Sequence, residues 1–206
     1  MAKRIIIFIV FLILLFTSAF GQQDTSNKKT FFAIKTDLAF LSAYAFPVIY
    51  DRGYMGVLTV EQGFSYKHSF QLTAWFLKYT DSQPREIWRF IPEYKFFLSK
   101  KGNFKGFYTG IYLKYVNQVN FYPYLSAHDD RTKDKYHTYG AGATFGFQTY
   151  IKKHLTFDIL LGFGGRYITN SVESPAGSNV FGINSRAMYP LFKLDGRFSI
   201  NLGYKF

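Results

Sequence analysis

The chain of 206 residues carries 25 Lys and Arg against 13 Asp and Glu, a net charge of +12, and it contains no cysteine. The lack of cysteine excludes a disulfide framework and a lipoprotein attachment site. The basic residues are dispersed, which argues against a nucleic-acid-binding patch. Aromatic residues make up 21% of the chain, which requires either a large aromatic core or an aromatic surface in contact with lipid.

Residues 1–21 have the three-part pattern of a secretory signal peptide. A basic start precedes an apolar run at 5–16, and small residues suited to cleavage follow it. The run of about 12 residues is shorter than the roughly 20 that a spanning helix needs, which favours a signal peptide over a membrane anchor. Polar residues 22–30 predict a flexible segment before a single folded domain at 31–206.

From residue 31 onward, apolar and polar residues alternate in eight segments, as expected of strands with one apolar face. The predicted strands cover residues 31–42, 54–67, 69–79, 86–98, 105–117, 136–150, 155–168 and 194–206. Short connections at 67–69, 99–104 and 152–154 alternate with mostly longer ones at 43–53, 80–85, 118–135 and 169–193. This pattern predicts an all-β, eight-stranded antiparallel barrel in an up-and-down meander, with the longer loops at one end.

The apolar faces of these strands are too bulky for the inside of such a barrel. An eight-stranded barrel has an interior barely wide enough for its own side chains or one small ligand, whereas the apolar faces are filled with Phe, Tyr, Trp, Leu and Ile. The opposite faces combine Gly, Ser and Thr with charges of both signs. We therefore expect a transmembrane barrel, with the apolar faces toward lipid and the polar faces lining the lumen.

The charged residues of the inward faces form the principal candidate site. They are Lys35, Asp37, Glu61, Arg89, Glu93, Lys95, Asp158, Arg166 and Arg197. Unpaired charges are costly in a confined interior, so we expect these residues to pair and to plug the lumen. A narrow ion path is the alternative interpretation. The alternation also places the bulky Trp75, Tyr108 and Tyr112 on the inward faces of their strands (inward parity), which favours the plug.

Four stretches resemble a widespread bacterial family of functionally uncharacterised small outer-membrane proteins with OmpA-like eight-stranded barrels. They are "AIKTDLAF" at 33–40, "PEYKFFL" at 92–98, "KGFYTGIYLKY" at 105–115 and "LGYKF" at 202–206. The resemblance implies a bacterial outer-membrane location and this fold, and it supplies no catalytic residues. The chain end, with Tyr204 and Phe206, also resembles the signal that the outer-membrane barrel assembly machinery reads.

Two features of the strands carry further expectations. Pro92 lacks a ladder donor in a barrel without a free edge, which predicts a bulge there. Aromatic residues are expected to anchor the two rims of the barrel at the membrane interfaces. They are Tyr122, Tyr124, Tyr136, Tyr139 and Tyr167 at one rim, and Phe97, Tyr150, Phe157 and Tyr204 at the other.

The sequence offers only weak candidates for catalysis or metal binding. His154 and Thr156 form an H-x-T pair whose parity predicts the inner face at the short-turn end, away from a lipid substrate. The stretch "SAHDD" at 126–130 contains serine, histidine and aspartate residues, but it lies in a long loop where a solvated surface is the simpler interpretation. We therefore expect no catalytic residues, no metal site and no cofactor.

These observations predict a non-enzymatic outer-membrane protein with a structural or surface-binding role. The expected partners are outer-membrane lipids and lipopolysaccharide, the barrel assembly machinery, and an extracellular partner bound by the loops at 118–135 and 169–193. The alternatives are a lipid A modifying acyl hydrolase or transferase, a narrow ion pore, and a soluble secreted barrel that carries a ligand.

Overall fold

The computed structural model describes eight stretches of the chain: residues 30–38, 53–65, 67–79, 84–99, 104–122, 132–151, 154–173 and 191–206. The predicted signal peptide at 1–21 lies outside the described residues, as does the predicted flexible segment except for its last residue. None of the described residues belongs to a helix long and apolar enough to cross a membrane.

Eight strands form a closed antiparallel sheet. They are β1 (Phe31–Asp37), β2 (Gly53–Ser65), β3 (His68–Tyr79), β4 (Arg85–Phe97), β5 (Gly106–Tyr122), β6 (Thr132–Ile151), β7 (Leu155–Glu173) and β8 (Leu191–Lys205). Each strand pairs with the next one in the chain, and β8 pairs with β1. The prediction of an all-β, eight-stranded antiparallel meander closed into a barrel is confirmed. Closure occurs at the short-turn end of β1, where residues 33–37 pair with residues 201–205 of β8.

The period-two alternation places polar side chains inside the barrel and apolar side chains outside. On β1, Lys35 is 1% exposed, whereas its neighbour Ile34 is 39% exposed. On β7, Asp158 is fully buried and Phe163 is 73% exposed. Successive side chains of a strand point to opposite faces, so each strand contributes to both surfaces of the barrel.

Large and small residues interlock inside the barrel. The ring of Tyr108 lies against Gly146, and the ring of Tyr112 lies against Gly142, so closely that a Cβ at either glycine would overlap the facing tyrosine. These contacts join β5 to β6. Glycine is required at these two positions because the tyrosine rings occupy the space that a side chain would need.

The hairpin of β5 and β6 extends further toward the long-loop end than the sequence predicts. The ladder continues without a register change to the pair Tyr122 and Thr132. The predicted loop at 118–135 is therefore wrong in its bounds, and residues 123–131 between the paired strands lie outside the described part of the chain. The apolar alternation weakens after residue 117, but ladder hydrogen bonds form between backbone groups whatever the side chains.

Strands β7 and β8 also extend further toward the long-loop end than the sequence predicts. The strands extend to Glu173 and begin again at Leu191, so the predicted loop at 169–193 is also shorter. Residues 174–190 lie outside the described part of the chain.

Pro92 interrupts one ladder of β4 without producing a bulge. Pairing with β3 runs through Pro92 continuously, whereas pairing with β5 stops after Phe90 and resumes at Glu93 in the same register. The predicted bulge is wrong, because the missing N–H removes ladder bonds locally and no extra residue is inserted. A register shift occurs instead between β2 and β3, at Gly63 and Ser65.

Candidate functional site in the barrel lumen

The inner faces of the strands carry the predicted lumen charges at several levels. Six of these residues are buried: Lys35, Asp37, Glu61, Glu93, Lys95 and Asp158. The three arginines, Arg89, Arg166 and Arg197, are partly buried. The level of a residue is its height along the barrel axis, which follows from its position along its strand. The short turns lie at one end of the barrel and the longer connections at the other.

The half of the lumen nearer the short turns contains a buried quartet of charges formed by Lys35, Glu61, Lys95 and Asp158. Lys35 Nζ pairs with Glu61 and lies 3.0 Å from Asp158 Oδ2. Lys95 Nζ lies 2.7 Å from the same oxygen and 3.8 Å from Glu61 Oε2. Two ammonium groups thus face two carboxylates, and the quartet is electrically neutral.

Neutral side chains add hydrogen bonds to the quartet. The hydroxyl of Tyr108 donates to Asp158 Oδ1 at 2.7 Å, and the hydroxyl of Ser69 donates to Glu61 at 2.6 Å. Lys35 also donates to Gln148 Oε1 at 2.9 Å. The side chains of the quartet have no exposed surface.

A separate ion pair lies nearer the long-loop end. Arg197 Nη1 donates to Glu93 Oε2 at 2.5 Å, and Thr144 donates to the other oxygen of Glu93 at 2.9 Å. The guanidinium carbon of Arg197 lies 5.7 Å from the ring centre of Tyr112, within the range of a cation–π contact. These contacts fix the side chain of Arg197 on two sides.

Lys114 and Asp195 form a buried ion pair that the sequence-based candidate set lacks. Lys114 Nζ contacts Asp195 Oδ1, and the hydroxyl of Tyr112 donates to Asp195 Oδ2 at 3.1 Å. Both charged residues have inward parity. Lys114 shares the inward face of β5 with Tyr112, and Asp195 shares the inward face of β8 with Arg197. Parity was therefore the signal that could have found them.

Arg89 and Arg166 add two more cations at this level. The guanidinium carbon of Arg89 lies 4.5 Å from the ring centre of Trp75, and its charge interacts with those of Asp195, Arg197 and Arg166. Arg166 lies across Gly140 from Lys114, because the ladder pairs Lys114 with Gly140 and Gly140 with Arg166. The loop-side half of the lumen is therefore rich in cations.

The short-turn end of the lumen is closed by aromatic rings, here called the aromatic base: Phe31, Phe97 and Phe104. The centroid of the Phe104 ring lies 4.5 Å from that of Phe31 and 5.7 Å from that of Phe97, and each ring is at most 3% exposed. Phe104 precedes β5 and has a φ of 53°, a conformation that bulky residues rarely adopt. The rings leave no surface for water at this end.

Two rim predictions are wrong because of this base. Phe97 and Tyr150 were expected at the membrane interface, but Phe97 is fully buried and Tyr150 packs against the buried cluster. The amine of Lys205 lies 4.5 Å from the ring centre of Tyr150. Phe97 has the parity of Lys95, so its position in the strand already pointed inward.

The residues of the predicted assembly signal lie on the outer surface. Tyr204 is 47% exposed and Phe206 is 67% exposed, with ring centroids 5.0 Å apart. His154 stacks on Tyr204 at 5.3 Å and is exposed, whereas Thr156 is fully buried. The prediction of His154 on the inner face is wrong because it belongs to the turn, where strand parity does not apply.

No arrangement typical of metal binding is found within the described stretches, which contain no group of three or more His, Asp or Glu residues suited to a metal ion. The stretch "SAHDD" at 126–130 lies outside them. His154 and Thr156 do not converge.

A comparison with protein-family models gives one match, to a protein family of unknown function, DUF3575, over residues 6–176. The match covers most of the chain. The chain belongs to this family. The matched region includes β1 to β7 and therefore most of the residues that line the lumen. Neither the curated proteins nor the solved structures gave a match.

Proposed function

We propose that the barrel is embedded in a membrane, with its apolar outer surface in contact with hydrocarbon. The observation that carries this proposal is the inverted distribution of side chains. Leu194, Phe163 and Ile111 are 87%, 73% and 67% exposed, whereas Lys35 and Asp158 are buried inside. A soluble barrel would expose its charges and bury its large apolar side chains.

The bacterial outer membrane is the membrane we propose. Barrels of that membrane are closed and antiparallel with an even number of strands, and the predicted signal peptide at 1–21 provides for export. The exposed Tyr204 and Phe206 at the chain end are available to the assembly machinery. Closure through β1 and β8 also pairs backbone groups that hydrocarbon could not hydrogen-bond.

Histidine–tyrosine pairs near both rims support this placement. At the short-turn end, the hydroxyl oxygen of Tyr94 lies 2.6 Å from Nδ1 of His68. Toward the long-loop end, the hydroxyl oxygen of Tyr115 lies 3.1 Å from Nδ1 of His137. Aromatic side chains with a polar edge favour the membrane interface, where one side meets lipid and the other meets water.

The role that we propose is non-enzymatic, structural or surface-binding, with a lumen closed to ions. The buried quartet and the aromatic base fill the half of the lumen nearer the short turns, which favours a plug over a pore. The connection at 123–131 joins β5 to β6 and that at 174–190 joins β7 to β8. They are the segments proposed to meet an extracellular partner.

The membrane placement is tested by fractionation and gel migration. The full chain is expressed with its signal peptide, and the protein is expected in the outer-membrane fraction. It is also expected to migrate differently in detergent gels with and without boiling, because a folded membrane barrel resists cold detergent. Recovery in the soluble periplasmic fraction, with one migration in both conditions, would exclude the membrane barrel and favour a soluble carrier.

The closed lumen and the absence of enzymatic activity are tested separately. In planar bilayers, the purified barrel is expected to show no more conductance than an Arg89→Ala/Glu93→Ala variant. Lipid A mass spectra from cells with and without the protein are expected to be identical. A loss or gain of an acyl chain would instead assign a lipid A modifying activity.

A further inference from the structure

Among the described side chains, cations outnumber carboxylates in the loop-side half of the lumen. The described inner side chains here include four cations, Arg89, Lys114, Arg166 and Arg197, and two acidic partners, Glu93 and Asp195. Asp37, the next described carboxylate on the inner face, accepts a hydrogen bond from Ser199 at 2.6 Å. Even with Asp37 counted, positive charge is in excess among the described residues.

The two carboxylates are already engaged. Glu93 holds Arg197 and accepts a hydrogen bond from Thr144. Asp195 holds Lys114, and Arg89 also interacts electrostatically with it. Asp195 is thus surrounded by more than one cation. Like charges in a confined interior repel each other, so an anion bound among these cations would lower their electrostatic energy.

Two arginines keep hydrogen-bond donors unused. The Nε atoms of Arg89 and Arg166 are buried, and neither has a hydrogen-bond partner among the described residues. The face of the Arg89 guanidinium is covered by Trp75 at 4.5 Å, which leaves the N–H groups at its edge to bind a ligand. Buried donors without a partner are rare because each one loses its hydration.

The backbone places these cations side by side. Lys114 and Arg166 lie on either side of Gly140, and a Cβ built at Gly140 would be 3.5 and 3.6 Å from their Cβ atoms. Arg89 pairs with Val116, two residues along β5 from Lys114. The glycine leaves open the space between an ammonium and a guanidinium group on neighbouring strands.

We propose that Arg89, Lys114 and Arg166 form a binding site for a phosphate-class oxyanion in the loop-side half of the lumen. Guanidinium groups bind phosphate oxygens through paired N–H donors, and an ammonium adds a compact charge. Asp195 holds Lys114 and competes with the ligand for it. The anion is either free inorganic phosphate or the phosphate of a lipid headgroup, and the second source rests on the proposed membrane placement.

The first experiment measures inorganic phosphate binding to the full mature chain, folded in dodecyl maltoside without phosphate buffer, by isothermal titration. We expect saturable binding that is weakened roughly tenfold or more in Arg89→Gln and in Arg166→Gln, because each change removes a charge-assisted hydrogen-bond donor. Lys78→Gln is the matched control. It removes an exposed cation that pairs with Glu86 outside the site, and it should leave the affinity unchanged. The gel shift on boiling shows which variants are folded.

The Asp195→Asn variant should change the phosphate affinity in the opposite direction. Removal of the competing carboxylate is expected to tighten phosphate binding, which a purely structural role of the cations would not produce. If this variant does not fold, the two arginine variants still decide the outcome. Absence of saturable binding at millimolar phosphate, or equal affinity in the arginine variants and the wild type, would overturn the proposal. The cations would then be balanced by carboxylates of the chain itself.

Competition identifies the source of the anion. Diphosphorylated lipid A added to the micelles is expected to displace inorganic phosphate if a lipid headgroup occupies the site, whereas dephosphorylated lipid A should not. Phosphate binding without such competition supports the free anion. Because these measurements use micelles, a chain that binds phosphate but is absent from the outer membrane would refute only the membrane placement.

Discussion

Asp158 is the residue at which the buried charges of the short-turn half converge. Its two oxygens receive Lys35, Lys95 and the hydroxyl of Tyr108 at 2.7 to 3.0 Å. These partners come from three different strands. Asp158 therefore ties together β1, β4 and β5 from its own position on β7.

Replacement of Asp158 by asparagine should be strongly destabilising. The side chain keeps its shape, but two buried ammonium groups are left with one carboxylate, and loss of one partner of a buried ion pair costs about 3–5 kcal/mol. Urea titration of the folded barrel measures the free energy of unfolding. Glu86→Gln is the control, since the pair of Lys78 and Glu86 is partly exposed and is worth no more than about 1 kcal/mol. Equal losses in the two variants would contradict the buried quartet.

Gly146 tests the packing of the lumen independently of charge. Gly146→Ala places a methyl group where the ring of Tyr108 lies, and overpacking of this kind costs about 1–3 kcal/mol. The same urea titration should show the loss, and a second change, Tyr108→Leu, should recover part of it by making room. Gly196→Ala is the control, because nothing lies within 4 Å of a Cβ there. A neutral Gly146→Ala would mean that Tyr108 packs elsewhere.

At the scale of elements, β6 is the strand with the most extensive pairing. It pairs with β5 from Thr132 to Gln148 and with β7 from Lys133 to Ile151. The sequence predicts a loop for residues 132–135, where all the side chains are polar. Side-chain polarity is a poor guide there, since the backbone forms the ladder on both sides.

Hydrogen exchange can test this extended pairing. Amides of residues 133–136 should exchange slowly, because both neighbouring strands shield them and their ladder bonds must open before exchange. Amides of residues 119–122 on β5 should also be protected. Mass spectrometry or NMR of the folded barrel in micelles gives the rates. Exchange as fast as in the unfolded chain would restore the predicted loop at 118–135.

At the scale of the whole molecule, the outer surface determines where the barrel can reside. Phe163 is 73% exposed in the middle of β7, at a level where a membrane barrel would contact hydrocarbon. The energetic cost of a charged side chain on a membrane barrel depends on its depth in the bilayer, so the environment of this surface can be tested. A barrel in water would tolerate a charge at such a position.

A lysine at position 163 should therefore discriminate the two environments. Phe163→Lys is expected to lower the free energy of unfolding in lipid vesicles by about 2–4 kcal/mol, whereas His154→Lys, at a turn, should cost about 0–1 kcal/mol. Both variants add the same charge at different depths. If Phe163→Lys is neutral or stabilising, the outer surface faces water and the membrane placement fails.

Much of the fold followed from the period-two pattern alone. Parity along a strand assigns Lys35, Glu93 and Asp158 to one face and Ile34 and Phe163 to the other, and short connections require antiparallel neighbours. The eight strands and their order could be predicted because a meander needs only local pairing. Parity failed at the turn, as His154 illustrates, whereas at Tyr150 parity with Gln148 was right and the expected rim position was wrong.

The sequence by itself therefore determined the strand count, the meander and the set of residues that share the inner face, because these depend on local alternation. Only the tertiary structure decided which charges meet. Lys35 reaches Asp158, 123 residues along the chain, and Lys114 reaches Asp195 across the lumen. It also decided that Phe104, a residue outside any strand, closes the short-turn end. Such contacts depend on the register of all eight strands and on the small radius of the closed barrel, which no single strand encodes.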